Sequence, residues 1–313
     1  MYESFYGLKE KPFSIQPDPD FLFFSQRHRL AFAMLEYGIH NRAGFSVITG
    51  EIGCGKTTLI RHLLNNLGPE IRVGLISNTQ RHILDPLEWV MMAFGQPYEN
   101  RSPAALFDAF QHFLIAEYGA GRRVVLIIDE AQNLNPEALE SLRMLSNINA
   151  DKDQLLQIVL LGQPQLKTLL RRPELQQFAQ RISVDFHLQR LCDAEVGLYV
   201  IHRLKVAGRE TPLFSHEALM RIAEVSGGIP RSINILCDTA LVYGFSLGIE
   251  RIARRVIDEV ISDKQKYGIF NAPVPPDGEG LPPAQARKPA LVIYDRELAK
   301  ELIEKMQREK GDS

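Results

Sequence analysis

A glycine-rich stretch is the part of this sequence best suited to chemistry. Residues 50–57 fit the pattern GxxxxGK[ST], with an apolar run at 45–49 before them and a helical pattern after them. In that context the glycines let backbone N–H groups converge on phosphate oxygens, and the start of the following helix attracts the same negative charge. We expect a nucleotide to bind here, through Gly50, Glu51, Ile52, Gly53, Cys54, Gly55, Lys56, Thr57 and Thr58. Lys56 would reach the β- and γ-phosphates, and the Thr57 hydroxyl would bind Mg²⁺.

Two adjacent carboxylates end a second apolar run. Residues 123–128 read Arg-Val-Val-Leu-Ile-Ile and lead directly into Asp129 and Glu130. A buried strand does not normally end this way unless the carboxylates have a task. We expect Asp129 to hold Mg²⁺ together with Thr57, and Glu130 to orient or deprotonate the attacking water.

The cysteines and histidines indicate no further metal or redox chemistry. The three cysteines, Cys54, Cys192 and Cys237, form no CxxC pair, and the histidines lack paired ligand spacing. We expect no role for the Cys54 side chain. The alternative is an oxidation-sensitive thiol, because the start of a helix can lower the pKa of a cysteine.

Short apolar runs alternate with helical patterns around these motifs. Strands are predicted at 45–49, 73–77, 124–128, 155–161 and 182–188, and helices at 26–40, 58–67, 86–94, 103–118 and 136–147. Continuously apolar strands separated by helices indicate an α/β fold with a parallel sheet that has helices on both faces. We therefore predict a core over residues 25–188.

The segments before and after this core differ from it in composition and in predicted secondary structure. Residues 1–24 are rich in aromatics and prolines, which predicts an irregular segment packed on a domain. Helical patterns at 193–206, 215–225, 231–245 and 253–262, with Ser215 and Ser232 as caps, predict a small helical lid over 189–264. A proline-rich linker at 265–290 and a short C-terminal helix at 291–313 complete the expected order.

Composition narrows the class of protein. The chain has 313 residues, 45% of them hydrophobic and 24% charged, and a formal net charge of −2. These values exclude a wholly disordered chain and the basic excess of a protein that coats nucleic acid. We see neither a signal peptide nor an apolar run near the ~20 residues of a membrane-spanning helix.

Three stretches together resemble a known group of proteins. They are residues 50–58, the run Asp-Glu-Ala-Gln-Asn-Leu at 129–134, and the opening Phe-Tyr-Gly-Leu-Lys-Glu-Lys-Pro-Phe-Ser-Ile-Gln-Pro-Asp-Pro-Asp at 5–20. Residues 1–268 resemble the AAA+ ATPases of the ExeA/GspA and MshM type, and most closely the ATPase that accompanies exosortase/PEP-CTERM exopolysaccharide loci. Full-length ExeA-type proteins continue into a membrane span and a periplasmic peptidoglycan-binding part, which we do not expect here.

The resemblance implies roles for further residues. Gln163, at the end of the strand after the acidic one, matches a sensor of the γ-phosphate, and Arg231 matches a second sensor in the lid. Arg181 matches an arginine that reaches a neighbouring subunit's ATP, with Arg171 and Arg172 as competitors. His28 could line the adenine pocket or be an ordinary packed or exposed histidine, and Trp89 is expected in the core.

The expected function is hydrolysis of ATP, with Mg²⁺, in a homo-oligomer such as a ring. From the resemblance, this activity drives or regulates assembly of an envelope export system for protein or exopolysaccharide, through an inner-membrane partner. We expect a cytoplasmic protein, with peripheral attachment to the inner membrane as a second possibility. The alternative is a DNA-binding regulator like the transposition ATPases MuB and TnsC, disfavoured by the near-neutral charge. A third reading is a nucleotide-gated scaffold that hydrolyses slowly.

Overall fold

A five-stranded parallel sheet forms the centre of the molecule. The computed structural model describes residues 1–77, 86–150 and 153–267. The sheet has the order β2-β3-β6-β1-β7, and every neighbouring pair is parallel. Its strands are β1 (Phe45–Gly50), β2 (Ile71–Ile76), β3 (Arg123–Ile128), β6 (Leu156–Gly162) and β7 (Ile182–Leu188); β4 (Asn149–Ala150) and β5 (Asp153–Gln154) form a separate small hairpin.

Eleven α-helices accompany the strands in the described residues. Those of the core are α1 (Gln26–His40), α2 (Lys56–Asn66), α3 (Pro86–Ala93), α4 (Pro103–Gly119), α5 (Pro136–Leu145), α6 (Pro164–Leu170) and α7 (Gln176–Ala179). Four more make up the helical region: α8 (Asp193–Val206), α9 (His216–Ser226), α10 (Pro230–Ser246) and α11 (Arg254–Tyr267).

Alternate residues of each central strand face opposite layers of helices. On β3, Leu126 packs in the cluster with α3 to α7, whereas Val125 and Ile127 pack with α1 and α2. All five apolar residues from Val124 to Ile128 are therefore buried. This explains why the strand is apolar along its whole length and does not alternate with polar residues.

The N-terminal segment packs on the helical region. Tyr6, Phe13 and Phe21 are buried in one cluster with residues of α8 to α11, such as Val200 and Leu241. Burial of aromatic rings against these helices is the main reason that an irregular segment has a defined position.

The predicted fold class, an α/β core with a parallel sheet covered on both faces, is confirmed. The predicted elements lie within a few residues of the observed ones, but the prediction missed α6, α7 and the β4–β5 hairpin. Ser215 caps α9 through the N–H of Ala218, as predicted. The predicted cap Ser232 is wrong, because α10 begins two residues earlier, at Pro230. Trp89 is only partly buried against the core.

The division into core (25–188) and lid (189–264) stays our proposal. Helix α11 extends to Tyr267, three residues into the predicted linker. The rest of that linker and the predicted helix at 291–313 lie outside the described residues. Within the described part of the chain, none of the helices has the length and apolar character needed to cross a membrane.

Candidate functional site

The glycine-rich loop lies at the carboxyl end of β1. Gly50 is the last residue of β1 and Lys56 the first of α2, and Gly53 and Gly55 have left-handed φ values of 82° and 95°. The Lys56 ammonium is buried and donates to the carbonyls of Gly50 at 2.8 Å and Glu51 at 3.1 Å. The loop thus curls around its own lysine at the start of a helix, which is an arrangement that binds phosphate.

Thr57 and Asp129 meet across the end of the sheet. The Thr57 hydroxyl donates to Asp129 Oδ2 at 2.8 Å, and Asp129 is buried. Strands β1 and β3 both run parallel to β6, which lies between them, so their carboxyl ends share one edge. A hydroxyl and a carboxylate oxygen beside a phosphate loop are the hard ligands that Mg²⁺ prefers, so the donor set fits that ion.

Glu130 follows directly, in a left-handed backbone conformation with φ of 55°. Its Oε2 accepts hydrogen bonds from Gln132 Nε2 at 2.6 Å and from Gln163 Nε2 at 3.1 Å. Gln163 directly follows β6. Its hydrogen bond to Glu130 means that the predicted sensor residue contacts the predicted water-activating residue. The sequence reasoning missed Gln132, although it lies in the quoted run at 129–134.

Lys56, Thr57 and Glu130 line one side of a cavity of about 200 Å³, whereas Asp129, Gln132 and Gln163 lie behind this lining. Three parts of the chain enclose it: the glycine-rich loop, the N-terminal segment and the helical region. Its lining includes Lys56, Thr57, Thr58, Glu130, Ser14, Ile15, Gln16, Pro17, Asp18, Tyr199, Arg203, Arg231 and Asn234.

The strap, defined here as residues 12–18, forms one wall of this cavity. Its backbone carbonyls bind side chains of the helical region: Arg203 donates to Pro12 and Ser14, and Asn234 donates to Ser14 at 3.1 Å. On the core side, Arg61 of α2 donates to the carbonyl of Pro17 at 2.6 Å. The strap is therefore held by the core and by the helical region at once. The aromatic and proline content predicted that residues 1–24 pack on a domain, but not these hydrogen bonds.

His28 supports the glycine-rich loop from behind. Its Nε2 lies 3.0 Å from the carbonyl oxygen of Cys54, and its Nδ1 lies 2.8 Å from Ser25 Oγ. A carbonyl can only accept, so Nε2 carries the proton and the Ser25 hydroxyl donates to Nδ1. Burial lowers the pKa of His28, which keeps the ring neutral. Although His28 also lines the cavity, its two ring nitrogens are both engaged with the protein.

Arg231, the predicted second sensor, lies at the cavity. It is the second residue of α10, and its backbone N–H donates to the carbonyl of Gly53 at 3.2 Å. The start of a helix disfavours a cation unless an anion is close, so a phosphate in the cavity would offset that cost.

The three arginines predicted to act on a neighbour lie elsewhere. Arg181 does not line the cavity; it donates to Ser146 Oγ at 3.3 Å and to Asn147 Oδ1, both just past the end of α5. Arg171 and Arg172 are exposed after α6, and Arg172 pairs with Glu174 at 3.6 Å. None of them reaches the nucleotide site of its own chain, which is what action on a neighbouring subunit requires.

Cys54 lies within the loop but points into the core. It is 1% exposed and belongs to the cluster between the sheet and α1 and α2. Burial raises the pKa of its thiol to about 11. These observations disfavour the oxidation-sensitive alternative, because the thiolate is the reactive form.

Comparisons with known proteins agree with this geometry. Residues 39–170 match the protein family described as AAA domain. The ORC2 protein of Aeropyrum pernix superposes with a TM-score of 0.58 at 16% identity, over 76% of this chain and 67% of that one. Cdc6p from Pyrobaculum aerophilum superposes with a TM-score of 0.61 at 13% identity, over 83% of this chain and 70% of that one. The chain has the AAA+ fold.

One curated relative matches beyond the AAA domain itself. General secretion pathway protein A from Aeromonas hydrophila is 45% identical over 253 residues. The match takes in 80% of this chain and 46% of that protein, so this chain spans about half the length of the relative.

Proposed function

We propose that this chain is an ATPase that binds ATP with Mg²⁺ in the cavity and hydrolyses it to ADP and phosphate. The proposal rests mainly on one observation: the carboxylates of Asp129 and Glu130 lie beside the glycine-rich loop, and each has different hydrogen-bond partners. Asp129 accepts a hydrogen bond from the Thr57 hydroxyl, whereas Glu130 accepts hydrogen bonds from the side-chain amides of Gln132 and Gln163. One carboxylate is thus suited to a cation and the other to a water molecule.

Each residue has a role that follows from its position. The N–H groups of residues 53–57 would bind phosphate oxygens, and Lys56 would exchange its contacts with Gly50 and Glu51 for the β- and γ-phosphates. Glu130 would orient the attacking water and take up its proton. Gln163 and Arg231 would bind the γ-phosphate from the core and from the helical region.

Thr57 and Asp129 would hold the Mg²⁺ ion, which when bound supplies positive charge to the phosphate oxygens. Arg181 would stabilise the transition state in the next subunit, because a guanidinium stays charged and matches phosphate oxygens with a planar fork. This role requires a homo-oligomer, and we propose a ring.

For the biological role, we propose assembly or regulation of an envelope secretion system through an inner-membrane partner. The identity of 45% to General secretion pathway protein A supports the link to secretion. The narrower assignment to an exopolysaccharide export system of the exosortase/PEP-CTERM type is also part of the proposal, and it rests on the sequence resemblance described above.

Two substitutions test the enzymatic part. In Glu130→Gln the amide keeps the shape of the side chain but cannot take up a proton, so nucleotide binding should persist while turnover falls by about 100-fold or more. Lys56→Ala should weaken nucleotide binding itself. Release of phosphate and binding of a fluorescent ATP analogue measure the two effects. Glu137→Gln, an exposed glutamate at the start of α5, is the matched control.

If Glu130→Gln hydrolysed ATP at the wild-type rate, Glu130 would not be the general base. The same assay with duplex DNA, at low and moderate salt, separates the export role from a DNA-binding regulator. For a DNA-binding regulator, DNA should stimulate ATP hydrolysis, and this stimulation should fall steeply as the salt concentration rises. A pull-down from the native host with Glu130→Gln and ATP then identifies the partner. Recovery of an inner-membrane secretion component supports the role.

A further inference from the structure

Gln132 connects two strand ends at the site through a single side-chain amide. Its Nε2 donates to Glu130 Oε2 at 2.6 Å, and its Oε1 accepts from the backbone N–H of Gln163 at 2.9 Å. Glu130 follows β3 and Gln163 follows β6, two neighbouring strands of the sheet. We propose that Gln132 is a positioning residue for ATP hydrolysis, which holds the Glu130 carboxylate in place for the attacking water.

The chemistry of the partners fixes the orientation of this amide. A carboxylate only accepts and a backbone N–H only donates, so the NH₂ group must face Glu130 and the oxygen must face Gln163. The reverse orientation would set acceptor against acceptor and donor against donor. Gln132 is therefore locked at both ends, unlike a surface glutamine that rotates freely.

The surrounding backbone makes room for this contact. A Cβ atom added at Gly162 would lie 2.9 Å from Gln132 Oε1 and 2.8 Å from Leu166 Cδ2. Any larger residue at the end of β6 would push the amide away from the Gln163 N–H. Glu130 also has a left-handed backbone, with φ of 55°, which a glutamate adopts only where its surroundings hold it.

Gln132 and Gln163 donate to the same carboxylate oxygen of Glu130. When Gln163 turns its amide to the γ-phosphate, as proposed above, Gln132 remains to hold Glu130. It also fixes the backbone from which Gln163 projects. Removing its donor should therefore impair the chemical step and leave the affinity for ATP almost unchanged, since neither contact lies on the phosphate loop.

The inference rests on the proposed ATPase function, and three variants test it. Gln132→Met keeps the length of the side chain and removes both hydrogen bonds. Gln132→Glu keeps an acceptor for the Gln163 N–H but loses the donor and adds a negative charge beside Glu130. Gln165→Met, at an exposed glutamine of α6, is the matched control.

We expect kcat to fall about 10- to 100-fold in Gln132→Met and at least as far in Gln132→Glu, with KM for ATP within about threefold of wild type. Gln165→Met should match wild type. If Gln132 merely supported the backbone at Gln163, Gln132→Glu would retain activity, and that result would overturn the inference. Bound fluorescent ADP and a melting curve for each variant show that it is folded.

A double-mutant cycle gives a second, independent readout. Glu130→Asp shortens the side chain by one methylene, so its carboxylate withdraws from Gln132 while residual turnover stays measurable. If Gln132 acts through Glu130, Gln132→Met should cost almost nothing further in this background. If the fold-losses in kcat of the two single variants multiply in the double variant, the two residues act separately and the inference is wrong.

The outcomes also separate this inference from the function on which it rests. A wild-type protein that binds but does not hydrolyse ATP would contradict both. A wild-type protein that hydrolyses ATP, with Gln132→Met equally fast, would contradict only the role of Gln132.

Discussion

The backbone N–H of Arg231 donates to the carbonyl oxygen of Gly53 at 3.2 Å, so the start of α10 rests directly on the glycine-rich loop. The two residues approach so closely that a Cβ atom on Gly53 would lie 2.5 Å from Arg231 Cβ. The helical region therefore contacts the backbone of the glycine-rich loop itself. We expect a change in the loop's shape on binding phosphate to act on α10 directly, through this contact.

Gly53→Ala should disrupt this contact. Two costs combine: the left-handed backbone, with φ of 82°, disfavours alanine by about 1–2 kcal/mol, and the new methyl group collides with Arg231. We expect a lower melting temperature and at least a tenfold loss of nucleotide affinity, measured by calorimetry. Gly248→Ala is the matched control, because φ is 67° there and a Cβ would have nothing within 4 Å. Equal losses of affinity in both variants would contradict the importance of the contact.

Arg181→Ala should abolish most turnover without changing the affinity for ATP. Its side chain points away from its own cavity, towards Ser146 and Asn147, so we expect it to serve the next subunit. Loss of such an arginine can cost ~10³–10⁵ in rate.

Mixing subunits tests that expectation directly. Arg181→Ala and Lys56→Ala are each expected to be inactive, but in a random mixture about a quarter of the head-to-tail interfaces pair an intact loop with an intact arginine. Partial recovery of phosphate release supports action between subunits. No recovery, with co-assembly shown by native mass spectrometry, would contradict it and turn attention to Arg171 and Arg172.

Arg203→Met should detach the strap from the helical region. Arg203 is 5% exposed, donates to the carbonyls of Pro12 and Ser14, and lies 4.3 Å from the centre of the Phe21 ring. Loss of the guanidinium removes the donor to the Pro12 carbonyl, one of the two side-chain donors to the Ser14 carbonyl, and the contact with the Phe21 ring. The free energy of unfolding should therefore fall by ~3 kcal/mol. Nucleotide affinity should fall as well, because the strap is a wall of the cavity.

Unfolding by denaturant measures the free energy of unfolding of Arg203→Met and of the control variant Arg255→Met. Arg255 is exposed on α11, and its loss should change the free energy of unfolding by no more than about 0.5 kcal/mol. Equal effects of the two substitutions would mean that the strap does not depend on Arg203.

His28 should make the folded state sensitive to acid. Burial lowers its pKa below the ordinary value of 6.5, so the unfolded chain takes up a proton first as the pH falls. The free energy of unfolding should then decrease from pH 6.5 down to the lowered pKa of the folded state. His28→Gln keeps a donor for the Cys54 carbonyl and cannot titrate, so its stability should fall less steeply over that range.

Unfolding curves between pH 7.5 and 5.5 measure this slope. His187 and His202, whose pKa values are also lowered by burial, should leave a residual slope in the variant. A slope in His28→Gln identical to that of wild type would show that His28 does not contribute.

Local patterns in the sequence determined much of this protein. Apolar runs predicted four strands of the sheet to within about two residues, because strands covered on both faces need apolar residues throughout. Alternation of apolar and polar residues predicted the fifth strand, β7. The glycine spacing at 50–57 and the carboxylates after β3 predicted the positions of Lys56, Thr57, Asp129 and Glu130 at one sheet edge. The short helix α6, with seven residues, and the two-residue strands of the hairpin were missed because they are too short to show a period.

Only the tertiary structure decided which distant residues complete the site. His28 contacts Cys54 from 26 residues away, Gln132 contacts Gln163 across 31, and Arg203 contacts Pro12 across 191. Each of these bonds uses a backbone carbonyl or N–H on one side. Because almost every residue carries the same backbone groups, such a bond leaves no signature in the sequence, and its partner becomes known only when the chain is folded.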